Sequence, residues 1–227
     1  MQEYLTATTF IDCDHPRVME LAQTIVPADL SDIEKARALY LWVRDEIRYN
    51  PYSFRAQADS FKASFCLQAG ESYCIPKAVL LAALARAHNI PARLGFADVR
   101  NHLSSEQLLA YLRTDVFAMH GYCELLLAGR WVKATPAFNR SLCEKMGVEA
   151  LTFNGWEDSV FQAYDGSGQR YMEYLQDHGQ WADLPYALIL RHTAATYPHL
   201  AQDTLAGELQ GHSLEGDLAL EEKAADS

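Results

Sequence analysis

The sequence predicts an α+β fold, with helices in the first half of the chain and paired strands in the second. Two observations support this prediction. Residues 74–88 are apolar on nearly every side, which is typical of a helix buried in the middle of a fold. Residues 116–127 and 130–138 show strand patterns and meet at Ala128 and Gly129, which suit a two-residue hairpin turn. A chain of 227 residues, 49% of them hydrophobic, can bury one core of this kind.

Two helices are predicted ahead of the buried one. Ser31 and Glu34 have the spacing of a capping box, and apolar residues recur behind them at helical spacing, which predicts a helix over 32–48. A shorter helix is expected at 16–25, with a proline in its first turn. Residues 51–70 are mixed and aromatic, and we expect a loop there.

The buried helix has well-marked ends. Pro76 is acceptable only in a first turn, so the helix is expected to begin near Cys74. Asn89 suits the left-handed position that follows a helix. The later elements are less distinct, and we expect a strand at 94–99 and a short helix at 170–177.

The composition predicts one domain over 1–203 and a separate acidic tail over 204–227. The tail has six acidic residues against a single lysine, and it has no aromatic residues. Such a composition cannot support a packed core, so we expect disorder or a weak helix there. Truncation after Gln202 is therefore expected to leave the melting temperature nearly unchanged.

The overall charge argues against several classes of partner. A formal net charge of −11 repels nucleic-acid phosphates and anionic lipid, so neither a nucleic acid nor a membrane is expected as a partner. No apolar stretch approaches the length of a membrane span, and the first residues do not have the pattern of a secretory signal. We therefore predict a soluble cytoplasmic protein, and its oligomeric state stays open.

The cysteine pattern predicts free thiols. Five cysteines form an odd and irregular set, which does not suggest a disulfide framework in a cytoplasmic chain: Cys13, Cys66, Cys74, Cys123 and Cys143. The chain has no CxxC, HxxxH or HExxH pattern, and residues 13–15 (CDH) are too close together to hold an ion. We expect no metal ion and no organic cofactor.

Cys74 is the candidate nucleophile. A cysteine at a helix N-terminus has its thiolate favoured by the helix dipole and by unpaired N–H groups, which lower the pKa of the thiol. The same N–H groups can stabilise an oxyanion on an attacked carbonyl. The reaction also needs an imidazole that takes up the proton and later returns it. Since a cysteine at a helix start is more often only a small buried side chain, the surrounding residues decide the interpretation.

Three separated blocks of sequence resemble the transglutaminase-like superfamily, whose fold is related to that of papain. Residues 73–93 (YCIPKAVLLAALARAHNIPAR) resemble the family's cysteine helix, with Asn89 in place of the usual glycine after it. Residues 120–125 (HGYCEL) resemble its His-Ala-Trp-x-Glu strand. Residues 129–132 (GRWV) resemble its Gly-x-Trp-Val strand, and 135–137 (TPA) stand where the family has Asp-Pro-Thr.

The resemblance, which covers roughly residues 1–140, implies a papain-like α+β fold in which a cysteine-bearing helix packs on an antiparallel sheet. It implies Cys74 as nucleophile, His120 as its base and Thr135 in the place of the orienting aspartate. The implied reaction is acyl transfer from a peptide or protein amide through a thioester on Cys74. Water as acceptor would make the protein a peptidase or amidase, and an amine would make it a transglutaminase. We favour hydrolysis, because water is always present and nothing in the sequence marks an amine site.

Two alternatives of other classes stay open. Replacement of the family's catalytic Asp by Thr135 is what a non-catalytic binding domain derived from such an enzyme would show. In a purely structural protein, Cys74 would be a buried and inert thiol. Retention of both Cys74 and His120 argues against these alternatives, since packing alone does not explain the pair.

The predicted hairpin brings Thr135 close to His120. A two-residue turn at 128–129 pairs Tyr122 with Thr135, which makes Thr135 a diagonal neighbour of His120 on one face of the sheet. A threonine hydroxyl can accept a hydrogen bond from the imidazole, but it brings no charge to stabilise an imidazolium.

Three further polar residues have weaker support. Glu124 lies four residues along the strand from His120, roughly 13 Å away, which is too far to orient the imidazole directly. Asp158 could supply a carboxylate from a later loop. Gln68 precedes Cys74 at the spacing of an oxyanion-hole glutamine, but a solvated side chain is the simpler interpretation. The other seven histidines have no matching sequence context.

Overall fold

The computed structural model describes residues 1–27, 29–102, 104–161, 163–164, 168–169, 171–200 and 213–225. Within these ranges the chain has the predicted α+β fold. The α-helices are α1 (Pro16–Ile25), α2 (Asp32–Glu46), α3 (Ala63–Ala69), α4 (Cys74–Ala87), α5 (Glu106–Leu112), α6 (Arg140–Lys145), α7 (Tyr186–Thr196) and α8 (Leu214–Ala225). The strands are β1 (Arg48–Tyr49), β2 (Glu71–Ser72), β3 (Ala92–Asn101), β4 (Val116–Leu127), β5 (Arg130–Ala134) and β6 (Met172–Trp181). In this part of the chain, no helix combines the length and the apolar character needed to cross a membrane.

The two predicted N-terminal helices are present. α1 has the expected bounds, and α2 begins with the predicted capping box, in which the Ser31 N–H donates to the Glu34 carboxylate at 2.9 Å. The predicted loop at 51–70 is wrong in part, because α3 lies within it. α3 buries Ala63 and Cys66 and packs on α4. The helix is too short to show a clear helical period in the sequence, so its tertiary contact with α4 could not be predicted.

α4 lies at the centre of the fold. All residues from Cys74 to Arg86 are buried, and the helix packs against α1, α2, α3, β3 and β4. Its cationic residues, Lys77 and Arg86, donate to backbone carbonyl groups of neighbouring segments, so their charged ends are satisfied within the core. Asn89 adopts the predicted left-handed conformation, with a φ of 58°.

The main sheet has the strand order β5-β4-β3-β6, and all neighbouring strands are antiparallel. β4 and β5 form the predicted hairpin, in which Leu127 pairs with Arg130. The intervening Ala128 and Gly129 both have positive φ, 47° and 79°, as a type I′ turn requires. β5 ends at Ala134, before the predicted end at residue 138.

The predicted helix at 170–177 is wrong, because residues 172–181 form the edge strand β6. β6 pairs with β3 over most of its length, and this long-range backbone pairing decides its conformation. Residue 170 lies outside the described residues. β3 contains the predicted strand 94–99 and extends beyond both of its ends.

The acidic tail contains a docked helix. Residues 201–212 lie outside the described residues, and α8 follows them. Tyr52 Oη donates to Asp217 at 2.5 Å, and Glu215 accepts a hydrogen bond from Asn139 at 3.1 Å. Of the two expectations for this segment, disorder or a weak helix, the described residues form a helix. Its Leu214 is buried in the core, and its carboxylates accept hydrogen bonds from the domain. The predicted domain boundary before the tail stays a prediction.

Candidate active site

Cys74 is the first residue of α4, so it lies at the helix N-terminus as predicted. The backbone N–H groups of Gly121, Ile75 and Cys74 act on its Sγ in the direction that lowers the pKa of the thiol. The first turn of a helix leaves its N–H groups without helical partners, and here Pro76 has no N–H to offer. The donors at the start of α4 are therefore directed at the sulfur.

Gly121 allows β4 to approach the start of α4 closely. A Cβ atom at residue 121 would lie 3.0 Å from the Cα of Ile75, which is tighter than ordinary van der Waals contact. The last residue pair between β4 and β5 joins Cys123 to Ala134, so β4 continues beyond the end of its neighbour. The start of α4 packs beside this continuation and brings Cys74 next to Gly121.

His120 precedes Gly121 on β4 and lines the same cavity as Cys74. The residue is only 3% exposed, and its ring centroid lies 5.4 Å from that of Phe161. The imidazole Nε2 is buried and has no hydrogen-bond partner among the described residues. The structure thus brings the predicted nucleophile and its predicted base to one cavity, with one ring nitrogen unpaired.

An irregularity in β4 sets the direction of His120. The register between β3 and β4 shifts between Ala97 and Val99, and Met119 has a φ of 55°. The N–H of Met119 donates to Oδ1 of Asp98 at 2.9 Å. A bulge re-aims the neighbouring side chains, so Asp98 helps to fix the backbone that carries His120.

Thr135 lies directly after β5. The pairing of β4 with β5 follows the predicted register up to Cys123 with Ala134, which is one pair short of the predicted pairing of Tyr122 with Thr135. The carbonyl of Thr135 accepts a hydrogen bond from Tyr40 Oη at 3.1 Å, which anchors the backbone. Its Oγ1, like Nε2 of His120, is buried without a hydrogen-bond partner in the described part of the chain. An unpaired buried polar atom costs roughly 1–3 kcal/mol, and catalytic hydrogen bonds often form fully only in the substrate complex.

Burial keeps both candidate catalytic groups neutral near pH 7. Loss of solvation raises the pKa of the Cys74 thiol to about 11, although the three N–H donors oppose the shift. Burial lowers the pKa of the His120 imidazole to about 4. The expectation that the helix N-terminus would favour the thiolate is therefore wrong for this conformation, because desolvation outweighs the N–H groups.

A cavity of about 80 Å³ adjoins Cys74 and His120, and it has room for several water molecules. Its wall is mostly apolar and is rich in aromatic side chains, which are Tyr49, Phe54, Tyr73, Tyr111, Phe117 and Tyr197. An apolar cavity beside a nucleophile can accept a hydrophobic group of a ligand.

The weaker sequence candidates lie outside this cavity. Glu124 forms a buried ion pair with Arg93, whose Nη2 lies 2.6 Å from Oε2, so its role is structural. Asp158 accepts a hydrogen bond from the N–H of Lys133 at 2.9 Å. Gln68 is exposed on α3, as expected for a solvated side chain. All five cysteines are free thiols, as predicted.

Three features that shape the site were not predicted from the sequence. Gly121 stands where the family's His-Ala-Trp-x-Glu strand has alanine. This difference could have indicated that another segment packs closely against β4 at this residue. The bulge at Met119 leaves no local signal, since its cause is the shifted pairing with β3. Phe161 reaches His120 from a later segment that has no regular pattern.

Comparison with known proteins gives a family for part of the chain. The family model of the transglutaminase-like superfamily matches residues 19–136, just over half of the 227 residues. A search of curated proteins gave no match.

Two solved structures are similar to the chain. A candidate cysteine protease from Cytophaga hutchinsonii has 16% identity and a TM-score of 0.47, over 78% of this chain and 53% of that one. A candidate protease from Parabacteroides distasonis has 14% identity and a TM-score of 0.38, over 52% of this chain and 23% of that one. This chain thus spans about half the length of the first protein and about a quarter of the second.

Proposed function

Because the chain belongs to the transglutaminase-like superfamily, we propose that it is an enzyme that transfers an acyl group from an amide through a thioester on Cys74. The observation that carries this proposal is the position of the Cys74 sulfur. It lies at the start of a buried helix, beside backbone N–H groups that favour its thiolate, and shares a cavity with His120. Acyl transfer by a thiol needs a nucleophile, a proton acceptor and oxyanion donors, and this arrangement offers all three.

In the proposed acylation, Cys74 Sγ attacks the carbonyl carbon of the bound amide while His120 takes the thiol proton. Both groups are neutral beforehand, since the pKa of the thiol is raised to about 11 and that of the imidazole is lowered to about 4. Proton transfer therefore accompanies the attack instead of preceding it. The carbonyl oxygen becomes negatively charged, and the N–H groups of Cys74, Ile75 and Gly121 are the donors proposed to stabilise it.

Collapse of the tetrahedral intermediate breaks the C–N bond. His120 gives its proton to the leaving amine, and the acyl group stays on Cys74 as a thioester. Water then attacks the thioester while His120 takes one of its protons. Return of that proton to the sulfur, with release of the carboxylic acid, restores the neutral pair.

Thr135 is the residue proposed to orient His120. The support is that Oγ1 of Thr135 and Nε2 of His120 are both buried and lack hydrogen-bond partners among the described residues. If the hairpin register continues for one residue beyond Ala134, the two residues are diagonal neighbours on one face of the sheet. A hydroxyl that accepts the imidazole N–H would hold the ring in place without adding charge.

Hydrolysis is favoured over transfer to an amine. Water is always present, and the described residues that line the cavity include no carboxylate that would attract a cationic amine. The proposed substrate is a peptide or protein amide with an apolar group beside the scissile bond. A non-catalytic binding domain is the other candidate, because Thr135 stands where the family has Asp.

An activated ester tests the proposal directly. The p-nitrophenyl ester of N-acetylphenylalanine should acylate the parent protein, with release of p-nitrophenol and the mass of one acyl group on Cys74. The adduct should then decay in water to the free acid. Addition of a primary amine at neutral pH should divert little of the acyl group if water is the natural acceptor.

Two variants make the result specific. Cys74→Ala should form no adduct, whereas Cys143→Ala, which removes another buried thiol, should behave as the parent does. Equal acylation of the parent and Cys74→Ala would refute the proposed nucleophile. A binding domain without catalytic function would give no burst in either protein.

A further inference from the structure

A second cluster of titratable side chains lies where β3, β6 and α7 meet. Nε2 of His192 lies 2.9 Å from Oδ2 of Asp98, and Nε2 of His178 lies 3.0 Å from Oδ1 of the same carboxylate. One potential ligand atom from each residue can be chosen so that all three lie within 4.8 Å of one another. We propose that Asp98, His178 and His192 bind one divalent transition-metal ion, with Zn²⁺ as the best fit.

The fold directs these side chains towards each other through an irregular part of β6. The pairing of β3 with β6 passes from Gly95 with Gln180 to Ala97 with Asp177, so β6 has an extra residue between these pairs. His178 lies in this extra stretch, beside a glycine with a φ of 81°. Bulges of this kind re-aim side chains and are common beside functional sites.

The donor set has the chemistry of a transition-metal site. Two imidazoles and one carboxylate are a ligand set used by zinc and by non-haem iron, both of which leave positions open for water. The side chain of His178 is 9% exposed, and its Nε2 has no hydrogen-bond partner of acceptable geometry among the described residues. The side chain of His192 is 28% exposed, which gives an ion a route from solvent.

The distances require only a small adjustment. Zinc bonds to nitrogen and oxygen of about 2.0–2.2 Å place tetrahedral ligand atoms about 3.3 Å apart. The present separations of 2.9 Å and 3.0 Å from Asp98 are slightly shorter, so an ion would push the two imidazoles outwards by a few tenths of an ångström. Oδ1 of Asp98 already accepts the N–H of Met119, which would orient the carboxylate as an outer-shell hydrogen bond does.

The position of the cluster links it to the candidate active site. Met119 is the residue with positive φ directly before His120, and its N–H is held by Asp98. A bound ion would fix Asp98 and thereby stabilise the bulge that carries His120. The metal would lie on the side of the bulge that Asp98 occupies, and it would take no part in the thiol chemistry of Cys74.

The spacing of histidines and cysteines in the sequence gave no indication of this site, and from that spacing we expected no metal ion. The ligands come from two strands and one helix, and Asp98 is separated from His192 by 94 positions. The usual short ligand motifs are therefore absent, although the three side chains meet in space.

The experiment is a metal titration of chelator-treated protein. Co²⁺ is added first, because its visible absorption reports the ligand geometry, and Zn²⁺ is then used to displace it in a calorimeter. The parent should bind one ion per chain, and Zn²⁺ should raise its melting temperature. Two control variants should bind the ion as well as the parent does. Cys74→Ser removes the candidate nucleophile, and His88→Gln removes a half-buried histidine outside the cluster, whose Nε2 contacts the carbonyl of Ala22.

His178→Gln and His192→Gln keep a hydrogen-bonding side chain but lose an imidazole. Each should weaken binding by more than the roughly 10–100-fold that loss of an outer-shell partner costs. Asp98→Asn should also weaken binding while keeping an oxygen for the Met119 N–H. The proposal is wrong if the parent binds no ion at one equivalent, if both His→Gln variants bind as the parent does, or if Cys74→Ser abolishes binding.

Discussion

Two histidine sites lie on either side of the Met119 bulge, and they accommodate their imidazoles in opposite ways. At the candidate active site, His120 has no partner for Nε2 among the described residues, and burial lowers its pKa to about 4. At the second site, Asp98 lies within 3.0 Å of both His178 and His192. The pKa of Asp98 is lowered there: burial opposes the shift, but the Met119 N–H and the two imidazoles outweigh it.

The difference shows where the fold places negative charge. Asp98 supplies a carboxylate to the imidazoles of His178 and His192, whereas the described residues that line the cavity beside Cys74 include no carboxylate. The candidate catalytic imidazole therefore stays neutral down to low pH and can accept a proton over most of the physiological range. It does so without forming a stable ion pair with the thiol, whose pKa is about 11.

The largest expected effect comes from removal of the imidazole proposed to be catalytic. His120→Ala should slow acylation of Cys74 at pH 7 by roughly 10²–10⁴-fold, the usual contribution of a general base. His192→Ala should cause a much smaller loss, because His192 reaches the site only through Asp98 and the bulge. Stopped-flow release of p-nitrophenol measures both rates. Similar losses in the two variants would remove the distinction between a catalytic and a structural histidine.

The same contrast predicts a pH-dependent stability. His120 has a folded pKa of about 4 against a reference value of 6.5, so between these values the unfolded chain binds a proton that the folded chain does not. Stability therefore falls as the pH is lowered from about 6.5 to 4, by about 3 kcal/mol at 1.36 kcal/mol per pKa unit.

Urea unfolding at pH 7 and at pH 4 checks this contribution. His120→Gln should lose about 3 kcal/mol less than the parent over the same interval, since glutamine does not titrate. His88→Gln serves as the matched control and should follow the parent. Parallel pH dependence in the parent and His120→Gln would contradict the assigned burial of the imidazole.

Addition of a carboxylate beside His120 should make the two sites more alike. Thr135→Asp should raise the pKa of the imidazole by up to about one to three units. The rise in the reactivity of Cys74 with iodoacetamide should then move to correspondingly higher pH, because His120 accepts the thiol proton only once it is neutral. The carbonyl of residue 135 would still accept the Tyr40 hydroxyl, so the fold should persist. Thr135→Ala should hold the ring less well and lower the reactivity.

The controls for this prediction are Thr135→Val, which keeps the shape without the hydroxyl, and Glu124→Ala. The first should resemble Thr135→Ala, and the second should matter little to the thiol chemistry because Glu124 pairs with Arg93. If Thr135→Asp and Thr135→Ala both match the parent, Thr135 does not orient His120. Asp158 would then be a poor replacement, since its carboxylate is bonded to the N–H of Lys133.

A smaller effect is expected at the second site in metal-free protein. Asp98→Ala removes the acceptor of the Met119 N–H and should lower the free energy of unfolding by about 1–3 kcal/mol, the cost of an unpaired buried donor. Asp98→Asn keeps an oxygen at this position and should cost less. Chemical denaturation compares the two, and equal losses would show that the hydrogen bond to Met119 does not hold the bulge.

Much of the fold could be predicted from local sequence. The helix that begins at Cys74 was recognisable because its apolar character, Pro76 and Asn89 all mark the same boundaries. The hairpin could be predicted because Ala128 and Gly129 separate two strand patterns. By contrast, β6 and α8 depend on long-range partners, since β6 pairs with β3 and α8 is held by hydrogen bonds from donors such as Tyr52.

The candidate site was predictable to the same extent. Its candidate nucleophile and candidate base lie in motifs, and the register of the hairpin was correct up to the last pair before Thr135. The protonation state was not predictable, because the helix dipole is a local property whereas the desolvation of Cys74 and His120 depends on the whole fold. The cluster around Asp98 was hidden for a similar reason, since two shifted registers and a distant helix assemble it.

The most direct test of the account is the pH profile of Cys74 acylation by the activated ester. We expect the rate in the parent to rise until His120 loses its proton near pH 4, to stay level between about pH 5 and 9, and to rise again as the thiolate forms. His120→Ala should show no level region and should climb about tenfold per pH unit, because only the thiolate can then react. A parent profile that climbs in parallel with that of His120→Ala over the whole range would contradict the proposed pairing of Cys74 with His120.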